Sequence, residues 1–392
     1  MEVFTLDRKF LRAQEIDTFH SIIWTERYYG DSDVELSVPL NDDSITKLWP
    51  GVFLGISGSD EVMILETMTI KDEKMKFNGI SLLPWLNNRF VRTTATQKDK
   101  QTWAIPDAAS PITTPGVPGW TLWAIVYYMC CVGSPYLNGT INTGIPAAQA
   151  AALAIPGLTL KDYDKSGDPL TVAVPFGPVY DALREIATTY RIGMSITLDS
   201  ASESGYSLGF RSYKGLDRTS GQSVNPPVRF SPEMDSLANI EELRSIAALK
   251  TLVYAFATND LAPLVATEPG IASASGTQYT GFDLRALQLL TSDIVNPKAS
   301  DTPPGTPLTA AKLLSILNER AKDALHASPY IKTVDGEIVP TGQYQYGRDY
   351  NLGDIIEVQG NSDVISTSRV TEYIRSQDEA GEKGYPTVAM LD

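Results

Sequence analysis

Leu48-Trp49-Pro50-Gly51-Val52-Phe53-Leu54-Gly55-Ile56 is followed by Val62-Met63-Ile64-Leu65-Glu66-Thr67-Met68-Thr69-Ile70, and the same order returns near the other end of the chain. There, Tyr350-Asn351-Leu352-Gly353-Asp354-Ile355-Ile356-Glu357-Val358 precedes Val364-Ile365-Ser366-Thr367-Ser368-Arg369-Val370-Thr371-Glu372-Tyr373-Ile374. In each block a glycine turn leads into an apolar strand, a short polar turn follows, and a second strand comes next. The pattern predicts an α+β fold with two small β-barrel units near the termini flanking a mixed α/β middle. Two similar modules in one protomer also suit ring building, because they double the apparent symmetry of the ring.

Working outward from the first block, Ser21-Ile22-Ile23-Trp24-Thr25-Glu26-Arg27-Tyr28-Tyr29 is rich in β-branched and aromatic residues. Gly30-Asp31-Ser32-Asp33 turns it, and Val34 to Pro39 alternates, which predicts a hairpin with one wet face. Further strands are expected at 51–56, 62–70 and 74–82. Residues 93–119 lack periodicity and read as a loop. The most apolar run is Gly119 to Gly133, including Trp120, Trp123, Tyr127 and Tyr128. A bilayer span takes about 20 residues, so this run predicts a helix buried against protein. Pro178 opens a helix whose Val179, Leu183, Ile186, Ala187 and Tyr190 share a face, and Gly193 closes it. Strands are read at 206–213, 227–230 and 249–257, with a short helix expected between Met234 and Ser245. The proline-rich stretch 296–307 is a loop. Thr309 caps a helix at 310–327 with Leu313, Leu314, Leu317, Ala321, Ala324 and Leu325 on its apolar face. Four domains follow: 1–92, 93–200 with the apolar helical insertion, 201–340, and 341–392.

The chain has 392 residues, is 43% hydrophobic and carries a formal net charge of −15, so it builds a core and offers no basic stripe for nucleic acid. The acidity keeps a surface soluble. It also suits the lining of a passage through which DNA slides without sticking. Cys130 and Cys131 are the only cysteines and are adjacent, so no disulfide framework is expected and folding in a reducing cytoplasm is. The start, Met1 to Asp7, has no basic segment of the signal-peptide kind.

Chemistry-bearing motifs are absent. Only His20 and His326 are available, far apart, with no CxxC, so no zinc site is expected. Asp162, Asp164 and Asp168 have calcium-loop spacing with Gly167 sixth, but Ala173 stands where the twelfth-position Glu belongs, so they read as a polar turn. No Walker loop, nucleophile elbow or HExxH occurs. Catalytic residues, cofactor ligands and metal ligands are each expected to be none. Tyr213-Lys214-Gly215-Leu216-Asp217-Arg218-Thr219-Ser220 reads as a stiff hairpin turn. In it, Gly215 permits a positive φ, Asp217 accepts from backbone two residues on, and Arg218 is free to pair with an acid.

Several segments, in order, carry a resemblance to a known family. They are Ser21–Pro39, Pro50–Leu83 with Gly79-Ile80-Ser81-Leu82, Arg89, Val174–Leu183, Gly209–Thr219, Val228-Arg229-Phe230-Ser231 and Tyr350–Asp354. Together they resemble the hub-type minor tail proteins of long, non-contractile-tailed phages. Those siphovirus tail hubs are similar in turn to the baseplate hub of contractile-tailed phages. Gly-Leu-Asp-Arg-Thr followed by Val-Arg-Phe-Ser is the most specific element, and the apolar 93–170 segment departs from the pattern. The resemblance implies structure and assembly rather than catalysis. It implies a virion tail-tip hub, synthesised in the host cytoplasm, that joins the sixfold tail tube to threefold tip machinery and helps gate the DNA channel. The implied partners are itself in a homotrimer with two barrels per chain, neighbouring tail-tube, distal tail and tip proteins, and the host envelope. DNA would pass the ring without specific binding. The alternative is a receptor- or glycan-binding tail adhesin, with Trp103, Trp120 and Trp123 as its aromatic candidates.

Overall fold

Seven strands open the chain, and glycine or charged turns end most of them. They are β1 Val3–Leu6, β2 Arg12–Glu15, β3 Ser21–Arg27, β4 Asp33–Pro39, β5 Phe53–Ile56, β6 Met63–Lys71 and β7 Lys74–Ser81. In β4 every second residue is buried, with Val34, Leu36 and Val38 inward, as a half-wet strand requires. Helix α1, Asp42–Lys47, starts where the Asn41 side chain accepts from the Ser44 N–H. A single turn, α2 Leu82–Trp85, follows β7.

The computed structural model describes residues 1–91, 102–103, 117–138, 146–167, 174–175, 177–202, 205–257, 264–266, 281–291, 309–328, 331–339, 343–362 and 364–391. The expected loops at 93–119 and 296–307 lie almost entirely outside them, as does Asp168. The chain divides into one unit of Met1–Ile240 with Gly336–Asp392 and a second of Glu241–Asp335.

The middle of the first unit begins with a two-residue strand, β8 Thr102–Trp103. Helix α3, Pro118–Cys130, is the predicted apolar helix, started by Pro118. After α4 Ala147–Ala151 come β9 Leu158–Leu160 and β10 Val174–Pro175, which pairs with β8. Then come α5 Val179–Thr189, β11 Gly193–Ser202, β12 Gly205–Tyr213 and β13 Arg229–Phe230. Leu122, Ile125, Val126 and Met129 of α3 pack with Val179, Leu183 and Ile186 of α5 and with Met194 and Phe210 of the β11–β12 hairpin. The apolar run is therefore taken up by the core of its own chain.

Residues Leu237–Ser245 form strand β14, not the expected short helix. Its burial alternates, and it pairs with a later strand, β18 Ile331–Ile338, so cross-strand pairing overrides the local helical preference. The second unit holds β15 Leu252–Ala257, β16 Leu264–Ala266 and β17 Ala286–Thr291, in the order β16-β15-β17. Helix α6, Ala310–His326, lays Leu317, Ala321 and Leu325 on Val253 and Ala255 of β15. Those three are spaced by four, one face of a helix.

The chain closes with β19 Ile355–Gln359, β20 Ile365–Asp378 and β21 Gly381–Met390. These do not form a separate unit. They join the first seven strands and β13 in one eleven-stranded sheet, in the path β13-β19-β20-β3-β4-β7-β6-β5-β1-β2 with β21 on β20. Two β-barrels were expected, one at each end; no sheet among the described residues is closed into a barrel, and the fold is α+β with mixed sheets. The expected hairpins are present, because turns and alternation encode neighbours. What differs is the partner of each hairpin's open edge. Glu372 to Gln377 of β20 run antiparallel to Arg27 to Ile22 of β3, so the edge that would have closed a terminal barrel is taken by the opposite end of the chain.

Candidate functional site

Gly215-Leu216-Asp217-Arg218-Thr219 and Tyr350-Asn351-Leu352-Gly353-Asp354 meet in the folded chain. The Asp354 carboxylate accepts from the Leu216 N–H at 2.7 Å, from Arg218 Nε at 2.6 Å and from the Asn351 N–H at 3.0 Å. The backbones exchange bonds as well: the Arg218 N–H donates to the Ile355 carbonyl at 2.8 Å and the Ile355 N–H to the Leu216 carbonyl at 2.9 Å. Segment 215–219 is thus docked along the start of β19, where a stiff hairpin turn was expected. Gly215 is needed for closeness, not for handedness. Its φ is not positive, and a Cβ there would stand 1.9 Å from the Gly353 carbonyl carbon. Asp217 does accept from the Thr219 N–H, at 2.9 Å. Next along the chain, the Glu357 carboxylate takes Ser220 N–H and Oγ on one oxygen and Arg229 on the other. Burial works against that charge, yet the Ser220 and Arg229 donors hold the carboxyl below its ordinary value.

Tyr28, at the end of β3, is the post around which these pieces stand. It is fully buried, its hydroxyl donates to the Arg191 carbonyl at 3.1 Å, and the Arg369 guanidinium lies 5.2 Å over its ring. Gly193 and Gly353 flank the ring so closely that a Cβ on either would lie 2.2 Å from it. One tyrosine therefore ties β3, the β11–β12 hairpin and the loop before β19.

Beside this post lies a cleft of about 420 Å³ with Glu26, Asp60, Glu61, Arg211, Tyr346 and Arg375 among its lining residues. Glu26 is buried and fully paired: Arg375 Nη1 donates to Oε1 at 3.0 Å and the Tyr346 hydroxyl to Oε2 at 3.1 Å. Glu61 is buried too, but its Oε2 has no hydrogen-bond partner. Burial first, and the like charge of Glu26 second, push its carboxyl up to about 8; a Ser32 hydrogen bond and the charges of Arg211 and Arg375 pull the other way. Arg211 spends Nε and Nη2 on the hydroxyls of Ser195 and Thr197.

The residues weighed in the sequence fall elsewhere. His20 precedes β3, its N–H on the Ser37 carbonyl at 2.7 Å. His326 ends α6. Cys130 and Cys131 are buried and not joined by a disulfide. Asp164 accepts from Ser166 N–H and Oγ, a polar turn. Trp120 and Trp123 pack partly buried on the α3 core, and Trp123 Nε1 donates to the Lys161 carbonyl at 3.1 Å, so neither stands as an open platform. The side chain of Trp103 lies outside the described residues. No three His, Cys, Asp or Glu side chains among the described residues are grouped to hold a metal. Sequence reasoning missed Glu26, Glu61 and Tyr28. A hint existed: Glu61 leads directly into Val62-Met63-Ile64-Leu65, and Glu26 sits inside an aromatic strand, both awkward places for an unpaired acid.

A sequence-family profile described as Siphovirus ReqiPepy6 Gp37-like protein matches residues 1–263 and 298–388. No curated protein matches the chain. Among solved structures, the 43 kDa tail protein of prophage MuSo2 from Shewanella oneidensis is similar at 9% identity and a TM-score of 0.53, over 99% of this chain and 98% of that one. The tail protein from Neisseria meningitidis MC58 is similar at 11% identity and a TM-score of 0.50, over 100% of this chain and 96% of that one. At these identities the likeness is one of fold, and it runs nearly end to end.

Proposed function

On the premise that the chain belongs to the Siphovirus ReqiPepy6 Gp37-like protein family, we propose that it is the hub at the tip of a siphovirus tail. At the coarser level it is a phage tail structural protein, made in the host cytoplasm and incorporated in the virion beside other tail components. The finer reading is a homotrimer that joins the sixfold tail tube to threefold tip machinery, surrounds the DNA path and helps gate it.

The observation that carries this reading is the open eleven-stranded sheet. Its terminal strand β2 and its branch strand β21 each pair with one neighbour only among the described residues. Unpaired edges template association, and a head-to-tail contact between copies closes into a ring. The chain is acidic, with 47 Asp and Glu against 32 Lys and Arg, which suits a passage for DNA that must slide.

The test is the mass of the full chain in solution together with its position in an electron-microscopy map of the virion. The expected result is a particle of about three times 42.7 kDa and three copies at the tail tip. A chain that stays monomeric at all concentrations and occupies sixfold positions along the tube would overturn the hub reading.

A further inference from the structure

We propose that Glu61 is a proton-held latch: while it carries a proton, the loop 57–62 stays closed on β11, and loss of that proton releases the loop and opens the cleft beside Tyr28.

The loop has a hinge and a catch. The hinge is Gly58, with φ +81° and open space around it. The catch is short: the Leu198 N–H donates to the Asp60 carbonyl at 2.8 Å, and Glu61 bridges Thr197 of β11 antiparallel. The Glu61 side chain sits between this catch and the main sheet. Ser32 accepts from the Arg27 N–H at 2.9 Å, which leaves its own proton for Glu61. The remaining carboxyl oxygen has no donor. A neutral carboxyl tolerates that environment; a buried anion with one bare oxygen does not.

The charged neighbours other than Asp60 are already engaged. Glu26 of β3 faces Glu61 and is held by Arg375 of β20 and by Tyr346. Arg211 of β12 is held by the hydroxyls of Ser195 and Thr197, and its neighbour on that strand, Tyr213, is neutral because burial pushes its phenol up. Asp354 is paired with Arg218, and Lys214 donates to Ser166. Asp60 lines the cleft through the loop itself. Two guanidinium groups thus flank the acid pair without forming an ion pair to Glu61, so an added cation would meet like charge. A proton is the species that fits.

The direction of the linkage is set by the raised value. The folded chain holds the Glu61 proton up to about 8, whereas the unfolded chain releases it near the ordinary 4.5. The folded state binds more protons between those values, so closure weakens as pH rises through that window and stays weak above it.

The test is hydrogen exchange of the Leu198 amide in the full chain, wild type against Glu61→Gln at each pH. The shared pH cancels the base-catalysed part of the rate. Protection in the wild type should fall as pH rises between the ordinary carboxylate value and about 8 and level off above it, while E61Q keeps it throughout. Equal protection in both at every pH would overturn the latch. Glu26→Gln removes the like charge and frees Arg375, so protection should level off at a lower pH than in the wild type; an unmoved levelling-off counts against the proposal. If E61Q does not fold, the carboxyl carbon of Glu61 followed by NMR decides. A titration in the ordinary carboxylate range would end the proposal, and one well above it would support it.

Discussion

Arg218 and Asp354 stand 136 residues apart in sequence and 2.6 Å apart in the fold, with their side chains only 9% and 3% exposed. The pair joins the two segments that carried the family resemblance most specifically. It also explains why both segments are rich in small and polar residues: a backbone-to-backbone docking needs a glycine for approach and a carboxylate to collect the freed N–H groups.

Removing Arg218 should therefore be costly. Arg218→Ala leaves Asp354 buried with two backbone donors and no counter-charge, and such losses run to about 3–5 kcal/mol. Chemical denaturation should show a lower midpoint. Arg348→Ala, which removes an exposed partner of Asp349, should leave the midpoint where it is.

Gly215→Ala separates crowding from handedness. A methyl group at 215 meets the Gly353 carbonyl carbon at 1.9 Å, so the docked segment must shift, at the upper end of the about 1–3 kcal/mol usual for overpacking. Gly51→Ala is the contrast. Its φ is +93° with open space around it, so it pays only the backbone preference, about 1 kcal/mol. Equal losses in unfolding experiments would show that Gly215 serves the turn and not the contact.

The adjacent thiols report on the α3 core. Cys130 and Cys131 are buried, and burial pushes the Cys131 thiol up to about 12. The thiolate is the reactive form, so the native chain should resist a thiol reagent at about pH 8 and react at both cysteines once denatured. Fast native labelling would mean that α3 leaves its core.

Local elements were legible in the sequence wherever one face decides. The apolar helix at Pro118–Cys130, the amphipathic helices Val179–Thr189 and Ala310–His326, and the terminal hairpins are all read from periodicity and punctuation. Leu237–Ser245 was not, because its strand state depends on a partner almost a hundred residues away, at Ile331–Ile338. The site was legible in half. Arg218 advertised a need for an acid, but nothing near it in sequence names Asp354.

The sequence by itself determined most of the strands and helices, though not Leu237–Ser245, and which family the chain resembles, and it shows no metal or nucleophile motif. Only the tertiary structure decided that the two ends share one open sheet instead of closing two barrels. It also decided that Glu26 and Glu61 face each other in one cleft. The physical reason is range. Side-chain periodicity and turn chemistry act over a few residues and specify an element. The choice of which edge pairs with β3, and which acid loses its water, is settled by burial summed over residues hundreds of positions apart.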